Sequence, residues 1–297
     1  WLLFKTQSHP YAVPIGIACS ILIAYIIRGL GAVAHDAVHG NLSRSKAVSY
    51  WISLVCWSPT GMSVTIYSNY HLHHHRIANT YPDVDNFVVT DYVRNPFLAK
   101  VMMLCVYTFA YPIYFMFQMF RYMKRLSTWQ KVRMNLELAG IFSTVGLGAY
   151  FLPGQVFLFL FGVPFILGAM FASMTSMIEH LSMPATDDDA YSSRTYGTSA
   201  PITNFFWNNV TYHNEHHKFP GIPFYNLASF HHAAYPYYDD VVKSACHKGI
   251  FSLAFKLYGD ILKLDIDALA AKYEDIDKGA EKARVMTLPG IPVESTS

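Results

Sequence analysis

The sequence predicts an all-helical integral membrane protein, with transmembrane helices beneath a cytoplasmic helical cap that carries three histidine-rich boxes. Three observations predict it. Only 14% of the 297 residues are charged, where soluble domains carry about 25%. Several apolar runs are long enough, as helices, to cross a bilayer. Of the 14 histidines, eight gather in three clusters where apolar runs meet polar sequence. A hydrophobic share of 53% with a mean hydropathy of +0.21 excludes a disordered, collagen-like or disulfide-stapled chain. The net charge of +2 gives no electrostatic case for nucleic acid. The four cysteines lie tens of residues apart and form no CxxC pair.

The elements follow in order. The chain opens at Trp1 rather than Met, which leaves room for a preceding segment. Residues 11–34 carry a single charge, Arg28. As a helix they span about 36 Å, more than the roughly 30 Å of a hydrocarbon core. The stretch is too long for a signal peptide and lacks a small-residue cleavage site. Residues 47–67 are apolar but hold Ser58-Pro59-Thr60-Gly61, a helix breaker. Residues 97–120 hold Pro112, and 121–135 hold five basic side chains and no acid, which marks a cytoplasmic side. Residues 136–152 and 155–178 flank Pro153-Gly154 and read as a transmembrane hairpin. Residues 1–230 are expected to form the membrane and catalytic unit. Residues 231–297 are expected to be a cytoplasmic tail of the same unit, helical from 259.

Three clusters dominate: His35-Asp-Ala-Val-His39, His71-Leu-His73-His74-His75, and His213-Asn-Glu-His216-His217. Helical residues at i, i+3 and i+4 share a face. His35 with His39, His71 with His74 and His75, and His213 with His216 and His217 therefore project together, while His73 points elsewhere. Eight imidazoles exceed one ion's needs, since zinc takes about four ligands. Two ions with three to five imidazoles each fit.

The boxes HDAVH, HLHHH and HNEHH resemble the triple-histidine signature of membrane fatty acid desaturases and their relatives, the hydroxylases, carotenoid ketolases and alkene-forming fatty acid decarboxylases. Asn79-Thr80-Tyr81-Pro82-Asp83-Val84-Asp85 and the stretch Asn209–Leu227 are similar to family sequence beside the second and third boxes. The resemblance, over roughly 28–230, implies two iron ions, O2-dependent oxidation of a long hydrocarbon chain, and most plausibly fatty acyl desaturation. It makes the eight box histidines metal ligands and suggests His180 as a ninth, since eight divide unevenly between two ions. Asp36, Asp83, Asp85, Glu179 and Glu215 are candidates to orient ring N–H groups. Asn204, Asn208 and Asn209 are candidates for a remaining coordination position. His9 and His247 are bystanders, and His231 and His232 candidates for outer bonds. A zinc-dependent membrane hydrolase is the competing class, but needs three ligands and an open position rather than eight histidines. A transporter would set polar ligands at mid-membrane.

Two consequences concern placement and partners. The boxes must meet on one side, so 47–67 is expected to be interfacial or re-entrant. Crossings between His75 and His213 must be even in number. The favoured assignment lets the 136–178 hairpin cross and lays 97–120 in the cytoplasmic leaflet. The alternative crosses 97–120 instead of 136–152. An acyl lipid and the membrane are implied partners. The sequence holds no rubredoxin-like, ferredoxin-like or cytochrome b5-like motif, so a separate electron donor of one of those types is expected. Lys124, Arg125, Lys131 and Arg133 are its candidate docking patch.

Overall fold

The computed structural model describes residues 2–6, 9–79, 83, 85, 87–183 and 191–269. A short turn, Leu2–Thr6, precedes the long helix α1, Ala12–Val38. The helices α2, Lys46–Trp57, and α3, Val64–Ile77, follow. Three long elements come next: α4, Pro96–Arg125, α5, Thr128–Phe151, and α6, Gly154–His180. The remainder is shorter: α7, Pro201–Phe206, α8, His213–Lys218, α9, Phe224–Ala234, α10, Asp240–Ser244, and α11, Phe251–Lys263. Among the described residues the β pairing is limited to bridges from Thr195 to Tyr212 and Cys246.

Local chemistry sets the ends that matter. Gly40, in the left-handed region at φ 80°, closes α1. Asn41 N–H donates to the Asp36 carbonyl and Gly40 N–H to that of Ala37, the paired bonds of a Schellman stop. His35 and His39 are thereby fixed in the final turns. The expected break at Pro59 separates α2 from α3 through the turn Ser58–Thr60 and Gly61 at φ 78°. Folded back, α2 donates Ser53 Oγ to the Ala34 carbonyl of α1. Glu137 of α5 meets the start of α3, accepting from Thr65 N–H at 3.0 Å, Tyr50 OH at 2.8 Å, and the Ser63 and Thr65 hydroxyls. A carboxylate there satisfies free N–H groups and complements the helix dipole.

Two long helices are interrupted alike. A π turn, Val106–Ala110, precedes Pro112 in α4, and another, Leu158–Gly162, precedes Pro164 in α6. Proline cannot donate to the helical ladder. A serine on a neighbouring helix meets a backbone group at each π turn: Tyr111 N–H donates to Ser173 Oγ, and Ser20 Oγ donates to the Phe159 carbonyl. Close approach needs small residues. A Cβ on Gly29 would collide with the Phe206 carbonyl, and one on Gly16 with the Phe159 ring.

Among the described residues, α1, α4 and α6 are long and apolar enough to cross a membrane. Arg125, at the end of α4, lies 3.3 Å from His73 of the second box, so α4 ends on the histidine side, where the favoured assignment puts it. Lys131, Arg133, Asn135 and Glu137 lower the hydropathy of the first half of α5, and its second half is apolar up to Phe151. Apolar side chains such as Phe97, Phe117, Phe142, Phe165 and Phe205 cover the exterior, as lipid contact requires. The tail also departs from expectation. Its helix starts earlier, at Phe251, and runs to Lys263; after a break at Leu264 and Asp265 residues 266–269 are helical again. The first piece packs on α4, where Tyr258 OH donates to the Tyr107 carbonyl and Lys100 to that of Leu262. The remainder of the expected tail helix, beyond residue 269, lies outside the described residues.

Candidate metal centre

The eight box histidines and His180 are carried by four chain segments: the end of α1, the second half of α3, the six-residue α8 and, for His180, the last residue of α6. Their imidazoles form two groups. His35, His39, His71, His75 and His216 offer nitrogens within 4.8 Å of one another. His74, His180 and His217 form a second such group, and His180 and His213 share a third with Glu179. His217 Nε2 lies 3.1 Å from His213 Nε2, which joins these into one cluster. The stacked rings of His75 and His217, 4.4 Å apart, bring the two clusters side by side.

Helical pitch explains the division. Each i, i+4 pair stays together: His35/His39 and His71/His75 in the first cluster, His213/His217 in the second. The third histidine of each later box crosses over. His74 is adjacent in sequence to His75 and His216 to His217, and neighbours on a helix point about 100° apart. The expectation that each box presents all its ligands to one place is therefore corrected. The doubled histidines are what let a box serve both clusters. His180 completes the second, its Nε2 3.1 Å from that of His213.

The nitrogens suit metal ions. Nε2 of His71 is 2.9 Å from that of His39 and 3.0 Å from that of His75, which is 3.1 Å from that of His216. Two nitrogens bound at right angles to one ion, about 2.1 Å from each, would lie about 3.0 Å apart. His35 Nε2 is buried with no hydrogen-bond partner, the cost a ligand site carries until an ion arrives. Burial pushes the affinities of His71, His213, His216 and His217 for protons well down, reinforced by neighbouring imidazoles. His39 falls to about 4 through burial. The neutral ring is the one that binds metal. His74 differs: burial opposes its charge, but Asp83 and Asp85 outweigh that and raise it to about 9.

The acidic candidates separate sharply. Asp83 accepts from His74 Nδ1 at 2.9 Å and so turns Nε2 toward the cluster. Asp85 is 3.8 Å from that Nδ1 and accepts from Tyr111 OH. Glu179 faces the nitrogens themselves, its Oε2 3.9 Å from His213 Nε2. Asp36 points away, one residue on from His35, and accepts from Asn41 at 2.6 Å and from Phe224 N–H at the start of α9. Glu215 also points away from the imidazoles, across the short α8, toward Thr195, His231 and Tyr238. It fastens α8 in place. Asn209 is defined by its backbone, at φ 56° with its N–H on the Asn204 carbonyl, and Asn208 and Asn204 bond the Gly29 and Gly197 carbonyls. His73 sits apart, 3.3 Å from Arg125. Thr80, Tyr81, Pro82 and Val84 lie outside the described residues.

Some contributors were not legible. Ser192 carbonyl, 3.1 Å from His180 Nδ1, orients that ring. Arg194 crosses the end of α6, giving its N–H to the Glu179 carbonyl and its guanidinium to that of Ile178, a cation at a helix C-terminus. Nothing local in the sequence marks either. Below the imidazoles lies a cavity of about 200 Å³ between α1, α3, α4 and α6. His35, His71, His74, His180 and His213 form its head, and Ile27, Met62, Phe115, Phe165 and Ala169 contribute apolar wall.

An integral membrane protein with paired histidine clusters above an apolar cavity is the class these features define. The family model for fatty acid desaturases matches residues 11–247, and the chain belongs to that family. It is 28% identical over 250 residues to the sphingolipid delta(4)-desaturase DES1 of Xenopus tropicalis, covering 82% of this chain and 69% of that one. It is 25% identical to the DES1-like sphingolipid delta(4)-desaturase of Oryza sativa subsp. japonica, over 73% of this chain and 63% of that one. With the human enzyme of the same name the figures are 27%, 70% and 61%. The matched regions thus span 61–69% of these relatives' lengths.

Proposed function

We propose that this protein is an O2-dependent membrane desaturase that introduces a double bond into a long lipid hydrocarbon chain, using two iron ions held by nine histidines. The observation that carries it is the convergence of nine imidazoles from four separate segments at the head of an apolar cavity. His35, His39, His71, His75 and His216 would hold one ion. His74, His180, His213 and His217, with Glu179 beside them, would hold the other. Imidazole suits iron, and bound iron supplies the oxidation of an unactivated C–H bond that no side chain performs.

The reaction balances as follows: two hydrogens leave adjacent carbons, and O2 with two electrons and two protons becomes two waters. The residues of this chain do the positioning. The cavity wall holds the hydrocarbon and excludes water, and the chain's register in it selects the carbon presented to the clusters. Asp83 and the Ser192 carbonyl fix His74 and His180. The substrate class is a fatty acyl chain or the sphingoid chain for which the relatives are named. The electrons come from a separate ferredoxin, rubredoxin or cytochrome b5-type protein docking on the histidine side, which faces the cytoplasm. Lys124 and Lys131 serve that docking, while Arg125 and Arg133 are engaged with His73 and Thr65.

The test is mass spectrometry of lipids from cells making the protein, beside cells making His216→Ala. An additional double bond formed only with oxygen and only by the unaltered protein is expected. Hydroxylated or ketonic products in its place would reassign the chemistry.

A further inference from the structure

Arg28 is the one charge inside the first apolar run, and the metal centre leaves it unused. It lies seven residues before His35, about two turns and 10 Å along the same face of α1. An arginine at that depth is expensive unless paired. Its guanidinium reaches the cavity wall, where it lies 3.3 Å from Glu179 Oε1 and 5.5 Å from the centre of the Trp207 ring. Tyr196, fully buried, donates to the same Glu179 oxygen at 2.7 Å. The Glu179 carboxylate in turn stands 3.9 Å from His213 Nε2. A polar group is thus built into the cavity immediately beside the second cluster, while Pro164, Phe165, Gly168, Ala169 and Ala172 line an apolar stretch along α6.

The arrangement has spare hydrogen-bonding capacity. A guanidinium carries five N–H donors, and Glu179 Oε1 takes only one of them, from Nη2. The Arg28 side chain keeps 16% exposure at the cavity wall, which leaves donors for an acceptor that arrives with the substrate. Charge narrows what it accepts. Glu179 neutralises Arg28, so the pair offers N–H donors with no net charge of its own, which suits a neutral oxygen.

We propose that Arg28, backed by Glu179 and Tyr196, is a binding subsite for a hydroxyl or amide oxygen of the lipid substrate. It rests on the desaturase reading and adds that the oxidised bond lies only a few carbons from that polar group. The alkyl chain beyond runs into the apolar stretch of α6. The subsite therefore sets both preference and the position of the double bond.

Binding and turnover test it separately. The full chain is purified in detergent and its equilibrium binding measured with a radiolabelled long-chain N-acyl amino alcohol and with an alkane of equal length. The amide lipid should bind about tenfold tighter. Arg28→Met should abolish that preference at unchanged iron content, and Arg28→Lys should retain part of it. In turnover, Arg28→Met should raise KM for the amide lipid more than it lowers kcat and scatter the double-bond position. Equal binding of the two lipids by the unaltered protein, or an intact preference in Arg28→Met, would overturn the subsite. The unaltered protein decides the matter alone if the variants fail to accumulate. Preferential binding without any oxygen-dependent product would instead retain the subsite and refute the desaturase reading.

Discussion

The two imidazole clusters sit side by side but are supported differently. The first is imidazole alone: five rings from α1, α3 and α8, with no carboxylate of the described residues in its group. The second has four rings and two acids, Asp83 behind His74 and Glu179 in front of His213. Neutral ligands leave an ion's charge uncompensated, and nearby carboxylates offset it. A cation at the second position would therefore be the more strongly held. The first depends on helix geometry, on the Schellman stop at Gly40 and on the anchoring of α3 by Glu137.

The crossover histidines break that comparison most severely. His216→Ala should remove activity and empty the first position while the second keeps its ion. His74→Ala should do the converse, and metal analysis of the two purified variants checks both. Asp83→Asn comes next. It takes the charged acceptor from His74, and about 10–100-fold in activity or metal affinity should be lost, with the loss confined to the second position. Asp36→Asn should leave metal content unchanged, because Asp36 bonds Asn41 and the start of α9.

Removing metal sharpens the contrast through pH. In the metal-free protein the folded value of His74 is raised to about 9, above the roughly 6.5 of an unfolded histidine. Its pairing with Asp83 thus contributes stability fully below about 6.5, and that contribution is lost as pH rises through 9. Unfolding of Asp83→Asn followed against pH should lack that alkaline decline. Glu137→Ala strands the donors at the start of α3 and should cost about 1–3 kcal/mol, read from denaturant unfolding in detergent. His73→Ala should be smallest, within about 0.5 kcal/mol and with near-normal turnover.

Much of this was legible in the residues. Apolar length identified α1 and α6, Pro59 the break before α3, Pro153-Gly154 the turn into α6, and i, i+4 spacing the pairs that stay together. Which cluster each histidine joins was not. That choice depends on how α3 and α8 approach α1, and adjacent histidines diverge on a helix whatever the approach. The acids were misjudged for a related reason. Glu215 and Asp36 stand closer in sequence to the box histidines than Asp83 does, but their side chains leave from the opposite side of short or terminal turns. For α4 and α5, the run 97–120 is longer than 136–152, and the contact that keeps the end of α4 beside the second box, Arg125 with His73, joins residues more than 50 apart. Arg28 was visible as a lone charge. Its partners, Glu179 and Tyr196, are more than 150 residues away.

Metal quantification by mass spectrometry, on the unaltered protein and on His71→Ala and His217→Ala, tests the central claim most directly. The account predicts close to two iron ions per chain, falling to about one in each variant, with the remaining ion in the opposite cluster. A single tightly held zinc, or a full complement of iron in either variant, would contradict it.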